Sequence, residues 1–201
     1  MEAWLQIVIR QCILYSLPVI ISLSIVGAID ALHLPADKRP GHPFYAMTWK
    51  GTWLPMIASI VFHRAVIIAL PRPVTGGPLS ALIRLLSHGL LAGLGWLLYT
   101  WALAHQQPAG MPPLHFWWAK VLMYFNLCML ALHLIPLPGM FTGELIGWSG
   151  IGRKIPLWWS RNDVWFFMIL ASTPLLDLIP GRYLIYPAYE SLAAAASHIA
   201  R

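Results

Sequence analysis

Between Trp4 and Leu34 the chain carries one long stretch of mostly apolar residues, interrupted early by Arg10 and Gln11 and holding Pro18 near its middle. A helix rises 1.5 Å per residue, so about 20 apolar residues cross a hydrocarbon core about 30 Å thick. A run of this kind has few homes in a water-soluble fold. Composition extends the constraint to the whole chain, which is 59% hydrophobic and 10% charged. A soluble domain is about 45–50% apolar and about 25% charged. Too few charges remain to wet the surface of a soluble globule, so lipid is the expected solvent for much of the chain. The N-terminus lacks a basic region and a small-residue cleavage site, so the first run reads as a span and not as a signal peptide.

Four further runs follow. Residues 51–70 hold His63 and Arg64 near their middle and stop at Pro71, Arg72, Pro73 and Gly76-Gly77. Residues 78–104 open on Pro78, a good first-turn residue, and carry Arg84 and His88 one turn apart on one face. Residues 114–137 begin with Trp117 and Trp118, placed as an interfacial belt would place them. Residues 163–179 contain Pro174. Between the last two runs, residues 138–162 are too polar to span and read as an interfacial loop, and the tail 188–201, with four consecutive alanines, reads as a short helix outside the hydrocarbon. The expected fold is therefore all-α, a single polytopic transmembrane helix bundle of about five spans over residues 1–201, multi-pass in a bacterial inner membrane.

The chain has 13 Lys+Arg against 7 Asp+Glu, a net charge of +6. In a membrane protein this excess sets topology and meets anionic headgroups. No basic run interleaved with aromatics points to nucleic acid. With five spans, Arg72, Arg153, Lys154 and Arg161 share the side of the N-terminus, and Lys38, Arg39, Lys50 and Arg182 the other. That near balance leans to a cytoplasmic N-terminus. Cys12 and Cys128 lie inside apolar runs and read as packed side chains.

The stretch Leu132-His133-Leu134-Ile135-Pro136-Leu137-Pro138-Gly139-Met140-Phe141-Thr142-Gly143 resembles the F-N-L-I-P-I-P-P-L-D-G-G segment of site-2 proteases, the intramembrane zinc metalloproteases. Gly77-Pro78-Leu79-Ser80 is similar to their G-P-L-A-N, and Gly51-Thr52-Trp53-Leu54-Pro55 to their D-P-I-G-T-L-L-L-P. The three occur in the family's order over most of the chain. The resemblance implies a compact bundle of roughly five spans. It also implies a zinc ion that activates water, held by two histidines of H-E-x-x-H on the first helix and by the Asp of L-D-G. The chain departs from that pattern at both ends of the metal site. No H-E-x-x-H occurs, Ser22 and Ser24 are the polar residues where it belongs, and Phe141 stands at the Asp position with His133 at the Asn of N-L-I-P. His133, Pro136, Phe141 and Gly143 are thus degenerate motif positions. The resemblance transfers a scaffold without its catalytic groups, a pseudoprotease with no catalytic residues and no cofactor.

Asp30, His33 and His42 form a possible alternative metal set, although a polar helix end facing headgroups explains them equally. In the five-span topology the fourth helix ends where the first begins, which separates His133 from His33. Arg84, His88, His133 and Glu144 then belong to the half near the N-terminal face, with His63 and Arg64 at the centre. Ionisable groups at mid-membrane cost at least about 2.5–3.5 kcal/mol and face the bundle or a wet cavity. These six residues are the candidates for a polar cavity that takes an anion, a lipid headgroup or a partner's acidic residue. The contrary reading has Arg84 snorkelling to the interface and the histidines satisfying carbonyls. The functional expectation is a binding or assembly subunit of a larger membrane complex, whose partners are integral membrane proteins and lipid. The alternatives are a zinc protease with non-standard ligands and a small transporter using Arg64, His63 and His88 as relays; no internal repeat supports the latter.

Overall fold

A computed structural model describes residues 2–72, 77–106, 111–137, 139–149 and 163–201. The basic cluster Arg153, Lys154 and Arg161, and most of the expected interfacial loop, lie outside the described residues. Those that are described form an all-helical structure.

Three helices are long and apolar enough to cross a membrane: α1 (Glu2–Ala31), α3 (Pro78–Ala104) and α4 (Leu114–Leu134). Between them stands the short α2 (Leu54–Val61), which grows out of a π-helical turn at Trp49–Trp53. After α4 come α5 (Phe141–Trp148), α6 (Asp163–Ser172) and, through a π-helical segment at Asp177–Ile185, α7 (Tyr186–Ile199). α3 starts where Gly77 adopts φ 105, a value glycine takes at little cost, and Pro78 fills the first turn. α4 stops before Pro136, which has no N–H to continue it.

The run 51–70 differs from the expected span. Its helix ends at Val61, and the chain turns back on itself. His63 takes φ 52, its N–H bonds Ile60 O at 3.0 Å and Arg64 N–H bonds Ser59 O at 2.7 Å. This pair of bonds is a Schellman closure with His in the position usually held by glycine. Residues 65–72 then return extended alongside α2, until Leu70 N–H reaches Gly51 O at 3.1 Å and Arg72 N–H reaches Ala46 O at 2.7 Å.

An extended segment has no internal partners for its backbone, so buried N–H and C=O groups must find them elsewhere. Here polar side chains supply them. Asp177 Oδ1 accepts from Val66 N–H at 2.8 Å, and Ser59 Oγ from Ile68 N–H at 3.4 Å. The Tyr124 hydroxyl donates to Ala65 O, and Thr52 to Leu70 O. Val66 to Ala69 are at most 1% exposed, which makes the returning arm part of the core.

The hairpin changes the parity of everything after it. α1 and α4 run parallel, as Arg10 beside Trp117 and Ser22 beside Asn126 require, and α3 runs antiparallel to both. The ends of α1 and α4 and the start of α3 therefore gather at one end of the bundle. This corrects the expectation that α4 ends where α1 begins.

α3 and α4 pack most closely at Gly95, where a Cβ would stand 2.5 Å from Met123 N. Small residues at such crossings let helix backbones approach. One core cluster joins α1, the hairpin, α4 and α6 through Leu23, Ile60, Ile67, Phe125, Met129 and Leu170; a second joins α3, α4 and α7 through Tyr99, Phe116 and Ala196. The run 163–179 is also shorter than expected: α6 ends at Ser172, ahead of Pro174. The tail is helical as expected, but it docks on the bundle, with Trp96 Nε1 donating to Leu192 O at 2.8 Å. Ile9, Ile13, Leu86, Leu90 and Leu97 remain exposed on α1 and α3, as lipid-facing positions do.

Candidate functional site

The gathered end of the bundle is polar inside. On α3, Ser80, Arg84 and His88 follow one another at four-residue spacing on a single face. α1 contributes Ser22 and Asp30, and α4 contributes Asn126 and His133. All seven are buried, with Asp30 1% and Arg84 2% exposed.

Two groups of bonds result. In the first, Arg84 Nη1 donates to Asp30 Oδ2 at 3.1 Å and to Ser80 Oγ, while Nη2 donates to Gly139 O at 2.9 Å. The Ser80 hydroxyl donates to Asp30 Oδ1 at 2.6 Å. The guanidinium thus ties the end of α1, the start of α3 and the segment after α4. Next to it the Tyr45 hydroxyl donates to Gly27 O at 2.6 Å. Its pKa is pushed up to about 12, first by burial and then by the Asp30 carboxylate, with Arg84 opposing.

In the second group, His88 Nδ1 meets Asn126 Oδ1 at 2.8 Å. An amide oxygen only accepts, so His88 carries its proton on Nδ1. Its Nε2 then has a bare lone pair, buried and without a partner among the described residues. Asn126 Nδ2 donates to Ser22 Oγ and to Leu122 O, each at 2.8 Å. The His133 ring lies 5.8 Å from that of His88, and His133 Nδ1 accepts from Phe141 N–H at 3.2 Å. Thr142 caps the end of α4 by donating to His133 O and Leu134 O. Glu144 Oε2 accepts from Gly77 N–H at 2.9 Å, which fastens α5 to the start of α3.

Of the six candidate cavity residues, Arg84, His88 and His133 come together and Glu144 joins them through the Gly77 backbone. They lie at the end opposite the N-terminus, a correction that follows from the hairpin's parity. Arg84 is buried against Asp30 and does not snorkel. His63 and Arg64 belong elsewhere, at the hairpin turn. His63 is exposed and edge-on to Trp4 at 6.3 Å, and Arg64 Nη1 stands 4.0 Å from Asp177 Oδ2. Arg64 therefore stands past the end of α2 and not in the middle of a helix. Trp4 and Ser22 are separated by 18 residues, about 27 Å of α1, so the turn and His88 do not share one path.

Asp30 does not form a metal set with His33 and His42 as the sequence suggests; it is the counter-ion to Arg84, with His33 Nδ1 a distant 3.9 Å away. Sequence reasoning missed Asn126, and it named Ser22 and Ser80 only as positions of the resemblance, with no part in a polar network. Their one signal is that Ser80 sits one turn before Arg84 on the same α3 face.

The degenerate motif positions converge. His133 bonds the backbone of Phe141, Ile135 and Pro136 lead the chain out of α4, and Gly143 packs so tightly on Leu137 that a side chain has no room. The zinc site implied by the resemblance does not fit these donors. Among the described residues no group of three or more His, Cys, Asp or Glu side chains is placed to hold a metal, and the Asp30 carboxylate is committed to Arg84. Compared with family models, with curated proteins and with solved structures, the chain matches none.

Proposed function

We propose that the chain is a non-catalytic integral membrane protein, built like an inactive site-2 protease, that acts as a binding or assembly subunit of a larger membrane complex in a bacterial inner membrane. In this reading α1, α3 and α4 span the bilayer. Residues 49–72 dip in and return on the face where α1 ends. Irregular backbone is tolerated at membrane depth when protein covers it and its polar groups are satisfied; Val66 to Ala69 are buried, and the arm's Ala65 O, Val66 N–H, Ile68 N–H, Leu70 N–H, Leu70 O and Arg72 N–H all have partners.

One observation carries the reading. Apart from His88 Nε2, the polar groups of the network bond one another or the backbone: Arg84 bonds Asp30, Ser80 and Gly139 O, and Asn126 bonds His88 and Ser22. A hydrolase keeps a nucleophile, base or metal-bound water free to meet substrate. A network that locks the ends of four elements suits a rigid scaffold. Extraction from native membranes in a mild detergent, followed by size-exclusion chromatography, tests this. Co-elution with other integral membrane proteins at fixed stoichiometry is expected; recovery as a free monomer contradicts it.

The competing reading, a zinc protease with non-standard ligands, draws on the bare Nε2 of buried His88 and the neighbouring His133 ring. Near-unit zinc in protein purified without chelators would restore it.

A further inference from the structure

We propose that the groove between the first halves of α1 and α4 holds an anionic glycerophospholipid. The groove has a volume of about 600 Å³ along Ile9, Ile13, Met111 and Leu114, and it adjoins a hollow of about 410 Å³ against α7. Arg10 and Trp117 belong to both. Two cations converge on the indole: Arg10 Cζ lies 5.9 Å from its ring centre and Lys120 Nζ 5.6 Å, with Lys120 also 5.8 Å from the Tyr189 ring. Among the described residues neither cation makes a hydrogen bond or an ion pair with a carboxylate.

Depth selects the ligand. α1 has 30 residues, about 45 Å of helix against a hydrocarbon core of about 30 Å, so about 7 Å projects at each end when it is centred. Arg10 stands about 12 Å from the start of α1, and Lys120 about 9 Å from the start of α4. Arg10 then lies about 5 Å inside the hydrocarbon boundary, and Lys120, three residues past the Trp117 that Arg10 faces, about 9 Å inside; unpaired charge is costly there, and the phosphodiester of a headgroup is within reach of both long side chains. Basic pockets between transmembrane helices recognise lipid headgroups in this way. The phosphate accepts charge-assisted hydrogen bonds from both cations, and an acyl chain lies along Ile9, Ile13 and Leu114. The site is independent of whether the chain is a subunit or an enzyme.

Native mass spectrometry of the full chain, released from micelles doped equally with phosphatidylglycerol and phosphatidylcholine, tests the site. The wild type is expected to retain one phosphatidylglycerol with a preference of about tenfold, or about 1.4 kcal/mol. R10Q/K120Q should bring the preference to about twofold or less, and R10K/K120R should keep it. Glycerol 3-phosphate should not displace the lipid. Equal retention of the two lipids by the wild type overturns the proposal, and that arm requires no variant to fold. An unchanged preference in R10Q/K120Q, or displacement by glycerol 3-phosphate, overturns it as well.

Discussion

The two ends of this bundle treat their charges in opposite ways. At the end where α1 and α4 finish, Arg84 and Asp30 are fully enclosed, 3.1 Å apart, with Ser80 and Gly139 O completing their bonds. At the far end Arg64 and Asp177 stand 4.0 Å apart and about one-fifth exposed, and Arg10 and Lys120 rest on aromatic faces without a counter-ion among the described residues. Burial accounts for the difference. A charge removed from solvent is tolerated when its partner and its remaining hydrogen bonds are all present, whereas a charge at the boundary can be left to solvent or headgroups. The enclosed end therefore holds the fold together, and the open end is the one with chemistry to spare.

Breaking the enclosed pair should have the largest effect. Arg84→Leu leaves Asp30 buried and uncompensated, and a loss of about 3–5 kcal/mol in unfolding free energy is expected in micelles. Adding Asp30→Asn should recover part of it, so the double variant is more stable than R84L alone. If R84L costs less than about 1 kcal/mol, the two ends do not differ as described.

Asp177 separates two roles at the open end. Asp177→Ala removes the acceptor for Val66 N–H on the buried return arm, at an expected cost of about 1–3 kcal/mol. Asp177→Asn keeps an acceptor and removes only the exposed ion pair. It should cost less than about 1 kcal/mol, and the difference should fade at high salt. Equal losses in the two variants would make the ion pair the larger contribution.

Asn126→Ala sharpens the enclosed end from within. Interhelical hydrogen bonds in membranes average about 0.6 kcal/mol and reach about 1.7. Losing the bonds to His88 and Ser22 should therefore cost about 1–2 kcal/mol, read from the denaturant dependence of helicity.

The smallest effect has the opposite sign. His63→Gly removes the steric cost of a left-handed residue at the hairpin turn, and a gain of about 0.5–1 kcal/mol is expected. A loss would mean that the His63 contact with Trp4 outweighs the strain.

Hydrophobic runs located α1, α3 and α4 to within a few residues, because a long apolar helix has a signature that needs no tertiary information. The same signature misleads at 51–70. An apolar stretch has the same hydropathy whether it crosses or turns back, and the marks of the turn, the polar His63-Arg64 pair and the β-branched Val66-Ile67-Ile68 before Pro71, read equally as an interrupted span. One such error reverses the direction assigned to every later helix. Arg84 and His88 were legible as a pair from their four-residue spacing, but Asp30, fifty-odd residues earlier, becomes their neighbour only when the hairpin sets the parity. Ser59, Tyr124 and Asp177 carried no functional pattern in the sequence, and Thr52 entered only as a position of the resemblance. They partner the backbone of an extended arm that periodicity did not reveal.

Single cysteines at positions 42, 111 and 148, on a C12S/C128A background, test the central claim most directly when labelled with a membrane-impermeant maleimide in sealed, oriented vesicles. If residues 49–72 re-enter and return, H42C and W148C react from the same side and M111C from the other. If those residues instead cross the bilayer, H42C and M111C share a side and W148C lies opposite, which contradicts the account.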